Sequence, residues 1–337
     1  MNNIDAAKTY LITGAAGFIG FSLSRSLLEK GCRVLGIDNI NDYYDVNLKY
    51  DRLKLLNSFE KFVFLKNDIS DKLAVEQVFK EYRPDIVINL AAQPGVRYSL
   101  INPDAYIQSN IIGFYNILEA CRQNPVRHLV YASSSSVYGM KERTPSRESD
   151  LTDQPVSLYA ATKKSNELMA YTYSYLYKIP ATGLRFFTVY GPYGRPDMAY
   201  FKFANQYFVG DPITINSNNE DDSYRDYTYI DDVVEGIEKI LDYYPAGHVP
   251  HCVYNIGNCK PESLPVFIGK LEKSLSEAAG REIVFQKTYQ PIQPGDVTVT
   301  YASTDLITNA VGFMPKTSTE DGLKKFASWY IHYYNIK

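Results

Sequence analysis

Cysteine is scarce in this 337-residue chain: Cys32, Cys121, Cys252 and Cys259 are scattered, with no CxxC pair and no even framework. That spacing excludes a disulfide scaffold and the common zinc sites. His248, His251 and Cys252 lie close together, but in a Pro/Gly-bearing stretch that reads as an exposed loop, so no metal is expected. Basic excess is missing too. Thirty-five Lys and Arg against 38 Asp and Glu leave a net charge of −3, which gives no support for a nucleic-acid partner. Local basic pockets for a phosphorylated small molecule remain compatible with it. No apolar run approaches the ~18 residues of a membrane span, and no secretory-signal pattern is present. The expectation is a chain of the reducing cytoplasm without a membrane partner. Tyrosine, by contrast, is abundant at 30 residues. Most can serve as amphipathic packing, and only one is assigned chemistry below.

Over the first half, short apolar runs alternate with helical patterns. Strands are expected at Thr9–Thr13, 32–38, 62–68, 86–92 and His128–Ser134, with helices at 18–30, 104–123 and 158–177. Strands this apolar, separated by helices, predict an α/β fold: a doubly wound parallel (Rossmann) sheet covered on both faces. Strand character returns at 181–191. YTYIDDVVEGIEKIL reads as a strand end entering a helix, and 252–258 as one more strand of the main sheet. PYGRPDM and INSNNEDDSYRD are polar connections, and the last ~70 residues read as mixed short helices and strands. The expected division is a Rossmann domain of residues 1–186 plus 227–258 and a smaller α/β lobe of 187–226 plus 259–337. The site is expected in the cleft between them.

Three features carry chemistry. Gly14, Gly17 and Gly20 follow the first strand and open the first helix, a GxxGxxG turn of the kind that binds a pyrophosphate. Gly14 allows the tight turn, Gly17 the approach of backbone to phosphate, and Gly20 close packing of helix and sheet. The helix N-terminus adds free N–H groups and a positive dipole end. Asp38, ending the second strand, is placed to accept hydrogen bonds from a ribose and to repel a 2′-phosphate, which favours NAD over NADP.

Second, Tyr159 and Lys163 lie four apart on a predicted helix and share a face. A free phenol titrates near ~10. A neighbouring ammonium and an oxidised nicotinamide favour the phenolate, and a drop of ~3 pH units needs roughly 4 kcal/mol. Third, Ser134 ends the strand YASS at the edge where doubly wound sheets bind ligands. From there a hydroxyl can hold a substrate alcohol beside the phenolate.

The glycine turn, the serine strand end, Tyr159 and Lys163 together resemble the extended short-chain dehydrogenase/reductase family, over nearly the whole chain. Within it, GIDNINDYYDVNLK, NLAAQPGVRYS, YASSSSVYG, SLYAATKKSNELMA, LRFFTVYGPYGRPDM, RDYTYIDD and QPGDV are most similar to the UDP-glucuronate 4-epimerases. The resemblance implies NAD as cofactor, bound by Gly14, Gly17, Phe18, Ile19, Gly20, Asp38, Asn39, Asp68, Ile69, Leu90, Ala91 and Ala92 together with Tyr159 and Lys163. It implies Tyr159 as base, Lys163 as its partner, and Ser134 as the hydroxyl, a role either Ser135 or Ser136 could share as substrate contacts. Thr188 and Arg195 would hold the sugar and its carboxylate, Arg97 would lie near the sugar, Arg225 would meet the diphosphate, and Asp296 the uridine side. For each arginine a surface ion pair is the plain alternative. Two departures stand out: Tyr193 replaces a frequent Trp, and the segment before Arg225 is unusually acidic.

The implied reaction is C4 epimerisation of a UDP-hexuronic acid through a 4-keto sugar without net redox, in a homodimer built on two long helices. Arg195 would hold the carboxylate against loss of CO₂. Related 4,6-dehydratases carry an Asp-Glu pair, and UDP-glucuronate decarboxylases a Glu, where this chain has Ser135 and Ser136. An N-acetylated uronate as substrate, UDP-glucuronate decarboxylation, and a non-catalytic NAD-binding module on the same fold stay open as alternatives.

Overall fold

A computed structural model describes residues 4–140, 144–217 and 223–336. The acidic run ahead of Arg225 falls at 218–222 and lies outside the described residues.

Seven strands form the central sheet: β1 Thr9–Thr13, β2 Arg33–Ile37, β3 Phe62–Leu65, β4 Ile86–Asn89, β5 His128–Ser134, β6 Ala181–Phe186 and β7 His251–Ile256. All pair in parallel, in the order β7-β6-β5-β4-β1-β2-β3. The order reverses between β1 and β4, which opens a crevice at their carboxyl ends. Alternate residues explain the unbroken apolar runs. Tyr10, Ile12, Ile86, Ile88 and Val130 face one core, while Leu11, Val87, Leu129 and Tyr131 face the other. Each fully buried aliphatic side chain contributes ~1.5–3 kcal/mol, so both faces must be covered.

Helices α1 Phe18–Glu29, α2 Val46–Leu56, α3 Lys72–Tyr82, α4 Phe114–Gln123 and α5 Leu158–Tyr177 supply most of that cover. Strand Thr9–Thr13, strand His128–Ser134 and helix α5 stand where the sequence pattern puts them. The helix expected over 104–123 is instead a composite: a turn at Pro103–Tyr106, a π-helical stretch at Ile107–Gly113, then α4. The strand expected over 181–191 divides at Phe187. β6 stays in the main sheet, whereas Thr188–Tyr190 steps off it to pair with Tyr227–Tyr229. Helix α6 Ala199–Phe208 precedes that pair, and α7 Ile230–Leu241 follows it. The C-terminal part is more helical than expected, dominated by α8 Leu264–Ala279 and α9 Thr319–Tyr333. One apolar core runs from Ile12 and Val130 of the sheet through Phe267, Leu323 and Phe326 of these helices. Among the described residues no helix is long and apolar enough to cross a membrane.

Candidate active site

The crevice between β1 and β4 opens into a cleft of about 1310 Å³, open mouth included. Its lining runs from Gly14, Gly17 and Gly20 to Ser134, Tyr159 and Arg195, so a single cleft joins the glycine turn to the serine and tyrosine.

The glycine turn forms its floor. Gly14 has φ +71°, and a Cβ there would lie 2.8 Å from the Ala91 nitrogen. Its N–H donates to the Ile37 carbonyl at 2.7 Å, pinning the turn to β2. A Cβ on Gly20 would sit 2.0 Å from the Gly14 carbonyl oxygen. Gly20 is therefore required by the turn folding on itself, rather than by packing of helix on sheet as the sequence suggested. No side chain caps α1 at Gly17, and Phe18 and Ile19 line the cleft, which leaves a first helical turn suited to an anion.

Asp38 is buried at the end of β2. Its Oδ2 accepts from Ala16 N at 3.1 Å and its Oδ1 from Ile40 N at 2.8 Å. The second bond holds Ile40 at φ +54°, a left-handed conformation that costs a β-branched residue ~1–3 kcal/mol. A carboxylate has about four lone-pair sites, so capacity remains for ribose hydroxyls. Asn39 donates to Asp68 Oδ2 at 2.7 Å, and Asp68 Oδ1 accepts from Ser70 N and Oγ. Burial pushes the Asp68 pKa up, but these hydrogen bonds outweigh it and hold it below the ordinary carboxylate value. Ile69, Leu90, Ala91 and Ala92 complete this half of the lining.

Two basic residues here escaped sequence reasoning. Lys49 lines the cleft and donates to the Asn41 carbonyl and Oδ1, both at 2.7 Å. Burial lowers its pKa, although Asp38 opposes the shift. Its signal was the lysine of YYDVNLK. Arg52 is wholly buried. It donates to Ala16 O and the Tyr44 hydroxyl at 2.7 Å, to Tyr193 O at 2.7 Å and to Gly194 O at 3.0 Å. Among the described residues no carboxylate pairs with it. Arg52 thus ties the glycine turn to the loop that leads into Arg195. Tyr193, at φ +55° in that loop, packs 5.1 Å from Phe21 and 4.9 Å from Trp329, so the aromatic role of the position persists.

The reactive end is built by β5 and α5. Ser157 Oγ accepts from Ala160 N at 3.1 Å, which starts α5 immediately before Tyr159 and fixes its first turn. Ser134, Tyr159 and Lys163 all line the cleft. Lys163 Nζ donates to the Ala132 carbonyl at 3.0 Å, and burial lowers its pKa to about 8. The Tyr159 pKa is raised by burial, against which a hydrogen bond with Ser134 and the charge of Arg195 work. In the protein alone the cation that favours the phenolate is Arg195, because the Lys163 ammonium is turned onto backbone. Ser134 Oγ accepts from Ser136 N and donates to Ser136 Oγ, both at 3.2 Å, and Ser135 and Ser136 open a 3₁₀ turn just outside the cleft lining.

Arg195 stands in the cleft wall with its fork on Asp197. The remaining expected substrate residues lie beyond the cleft lining. Thr188 N donates to Asp226 O at 3.1 Å in the strand pair. Arg97 is about half exposed and forms an ion pair with Asp296 at 2.5 Å. Arg225 donates to Thr298 O at 2.6 Å, and its pKa is lowered by burial, with Arg97 adding to the effect and Asp296 opposing it. Arg97, Arg225 and Asp296 therefore form one charged cluster.

Residues 10–257 match the model of the NAD dependent epimerase/dehydratase family. The chain belongs to that family. Protein CapI of Staphylococcus aureus is 48% identical over 338 residues, covering 96% of this chain and 98% of that protein. UDP-glucuronate 4-epimerase 1 of Arabidopsis thaliana is 46% identical over 96% of this chain and 77% of its own length. Among solved structures, UDP-glucuronic acid 4-epimerase from Bacillus cereus, in complex with UDP-glucuronic acid and NAD, superposes with a TM-score of 0.86 at 31% identity, covering 97% of this chain and 100% of that one.

Proposed function

We propose that this member of the family is an NAD-dependent UDP-glucuronate 4-epimerase, interconverting UDP-glucuronate and UDP-galacturonate through a 4-keto sugar with no net redox. The observation that carries the reading is a buried phenol, Tyr159, sharing one cleft with a glycine-turn phosphate cradle and an arginine fork, Arg195. Relatives bearing that name, at 46% identity and across 96% of the chain, support it. NAD, when bound, supplies the reversible hydride exchange at the sugar C4.

The chain's own residues do the rest. Ser134 holds the C4 hydroxyl against Tyr159, whose Oη takes its proton and later returns one to the C4 oxygen of the inverted sugar. Lys163 holds the cofactor side of α5. Arg195 offers paired donors to the C5 carboxylate and keeps its C–C bond out of line with the ketone. Arg97, Arg225, Asp296 and Thr188 are assigned to the sugar and UDP beyond the cleft lining, and Ser135 and Ser136 to substrate contacts next to Ser134. In this reading 187–226 and 259–337 form the substrate lobe.

NMR of the anomeric signals after incubation with UDP-glucuronate separates epimer, decarboxylated and dehydrated products. The expected product is UDP-galacturonate without added stoichiometric NADH, and Tyr159→Phe should lower turnover at least ~10²-fold while retaining dinucleotide. Undiminished conversion by that variant would end the proposal.

We also infer a cytoplasmic homodimer. Leu168, Tyr171 and Tyr175 share an exposed face of α5, with Ile112 and Tyr115 exposed beside them. The tyrosine run is partly occupied internally, since Tyr173 donates to Glu119 at 2.7 Å and Tyr171 packs 5.7 Å from His251. A dimer mass by light scattering, lost on Leu168→Glu with the fold intact, is the expected result; a monomeric wild type refutes it.

A further inference from the structure

Beside Arg195 stands a carboxylate that the reaction above does not use. Asp197 grips one edge of the guanidinium: Arg195 Nε donates to Oδ1 at 3.0 Å and Nη2 to Oδ2 at 2.5 Å. Tyr43, from the loop after β2, donates its hydroxyl to the same Oδ2 at 3.1 Å. The Tyr43 ring is itself packed 4.8 Å from Tyr98. The free end of the fork, Nη1, has no hydrogen bond among the described residues. Arg195 and Tyr43 both line the cleft, with the Arg195 side chain only 22% exposed.

We propose that Asp197 is a positioning residue, which fixes the Nε edge of Arg195 so that Nη1 meets the sugar carboxylate, and which tempers the positive charge felt by Tyr159. The proposal rests on the activity assigned above. A planar bidentate pair holds the guanidinium plane, whereas a single contact leaves it free to swing. Orientation matters because the 4-keto uronate is a β-keto acid. If the carboxylate aligns with the ketone, the C5–C6 bond breaks, its electron pair enters the C4 carbonyl as an enolate, and CO₂ leaves. Protonation at C5 then gives a 4-keto pentose.

The charged and titratable groups around Tyr159 are few. Lys163 lies one turn on with its ammonium on Ala132 O, Tyr106 is edge-on at 6.0 Å, and the charge of Arg195, in the same cleft lining, acts on the phenol. Asp197 and Tyr43 reach Tyr159 through Arg195. Neutralising Asp197 therefore leaves more net positive charge facing the phenol and favours the phenolate.

The test is Asp197→Asn in the full chain, with Tyr159→Phe to assign the Tyr159 signal in a ¹³C-tyrosine NMR titration. The Tyr159 midpoint should fall by about 0.5 pH unit or more in Asp197→Asn. With UDP-glucuronate, the acid limb of the kcat profile should move the same way, and the decarboxylated fraction should rise several-fold. An unmoved midpoint overturns the proposal whatever the sugar does, and so does an unchanged product split in an enzyme that epimerises. If the wild type forms no epimer while the midpoint moves, the assigned activity falls and the electrostatic link from Asp197 to Tyr159 stands.

Discussion

Lys163→Met should stabilise the dinucleotide-free protein near neutral pH while abolishing turnover. Lys163 is 3% exposed, and among the described residues its ammonium has one hydrogen bond, to Ala132 O at 3.0 Å. Burial lowers its pKa from 10.5 to about 8. At ~1.36 kcal/mol per pH unit, holding the charged form inside costs about 3 kcal/mol. Methionine removes the charge at similar length but leaves the Ala132 carbonyl without that donor, a loss of ~1–2 kcal/mol. The net expectation is a gain of about 1–2 kcal/mol.

Its pH dependence carries the decisive sign. Below about pH 8 the lysine is protonated in both folded and unfolded chains, and the full cost applies. Between about 8 and 10.5 the unfolded chain binds more protons, so wild-type stability gains with pH through this group. The variant lacks that gain. Its advantage in thermal midpoint should shrink as pH rises through 8 and reverse toward 10, where neutral lysine still donates to Ala132. Other titrating groups are common to both proteins and cancel in the difference. A midpoint difference flat across that range would refute the reasoning.

Arg52→Met should lower stability by a few kcal/mol in urea titration (~1–3 kcal/mol for each of four oxygens left without its donor, partly offset by removal of a buried charge), and should also speed loss of bound dinucleotide. Equal dinucleotide retention would show that the tie from Ala16 to Gly194 is mechanical only. Glu167→Gln should cost a similar ~3–5 kcal/mol, because Arg185, bound at 2.8 Å through both Nε and Nη2, is left uncompensated beneath β5. A denaturation midpoint within error of wild type would contradict that pairing.

What could be read from residues was whatever repeats or clusters locally. The strands at Thr9–Thr13 and His128–Ser134 were visible because both faces are buried and their central positions, Tyr10 to Ile12 and Leu129 to Ala132, are apolar. Helix α5 was visible because its run has few breakers and ends at Ile179-Pro180, whereas the cap at Ser157 emerged only in the structure. Gly14, Asp38, Ser134, Tyr159 and Lys163 could be grouped because each ends or opens such an element at the same sheet edge. The break at Phe187 was invisible, because residues on either side are equally strand-like and only their partners, β5 and β7 against Tyr227–Tyr229, differ. Arg52 was invisible for a similar reason. Its partners include Tyr193 and Gly194, far along the chain, and they are carbonyls, which every residue has. The orientation of Lys163 could not be read from a four-residue spacing. Spacing gives the helix face, but the nearest acceptor belongs to β5.

That last point changes how the base is activated. Burial raises the Tyr159 pKa, and the buried lysine beside it has a pKa of only about 8, with desolvation as the cause. A phenol in that setting stays protonated at neutral pH, since Ser134 and Arg195 only partly offset desolvation. Under the proposed function, an oxidised nicotinamide bound in the cleft lined by Tyr159 and Lys163 would supply the missing positive charge. Proton removal and hydride acceptance then depend on the same bound form. A protein whose cofactor is absent or reduced should hold the sugar with Tyr159 neutral, which suits the second half of the cycle, when the phenol must give a proton back to the returning C4 oxygen.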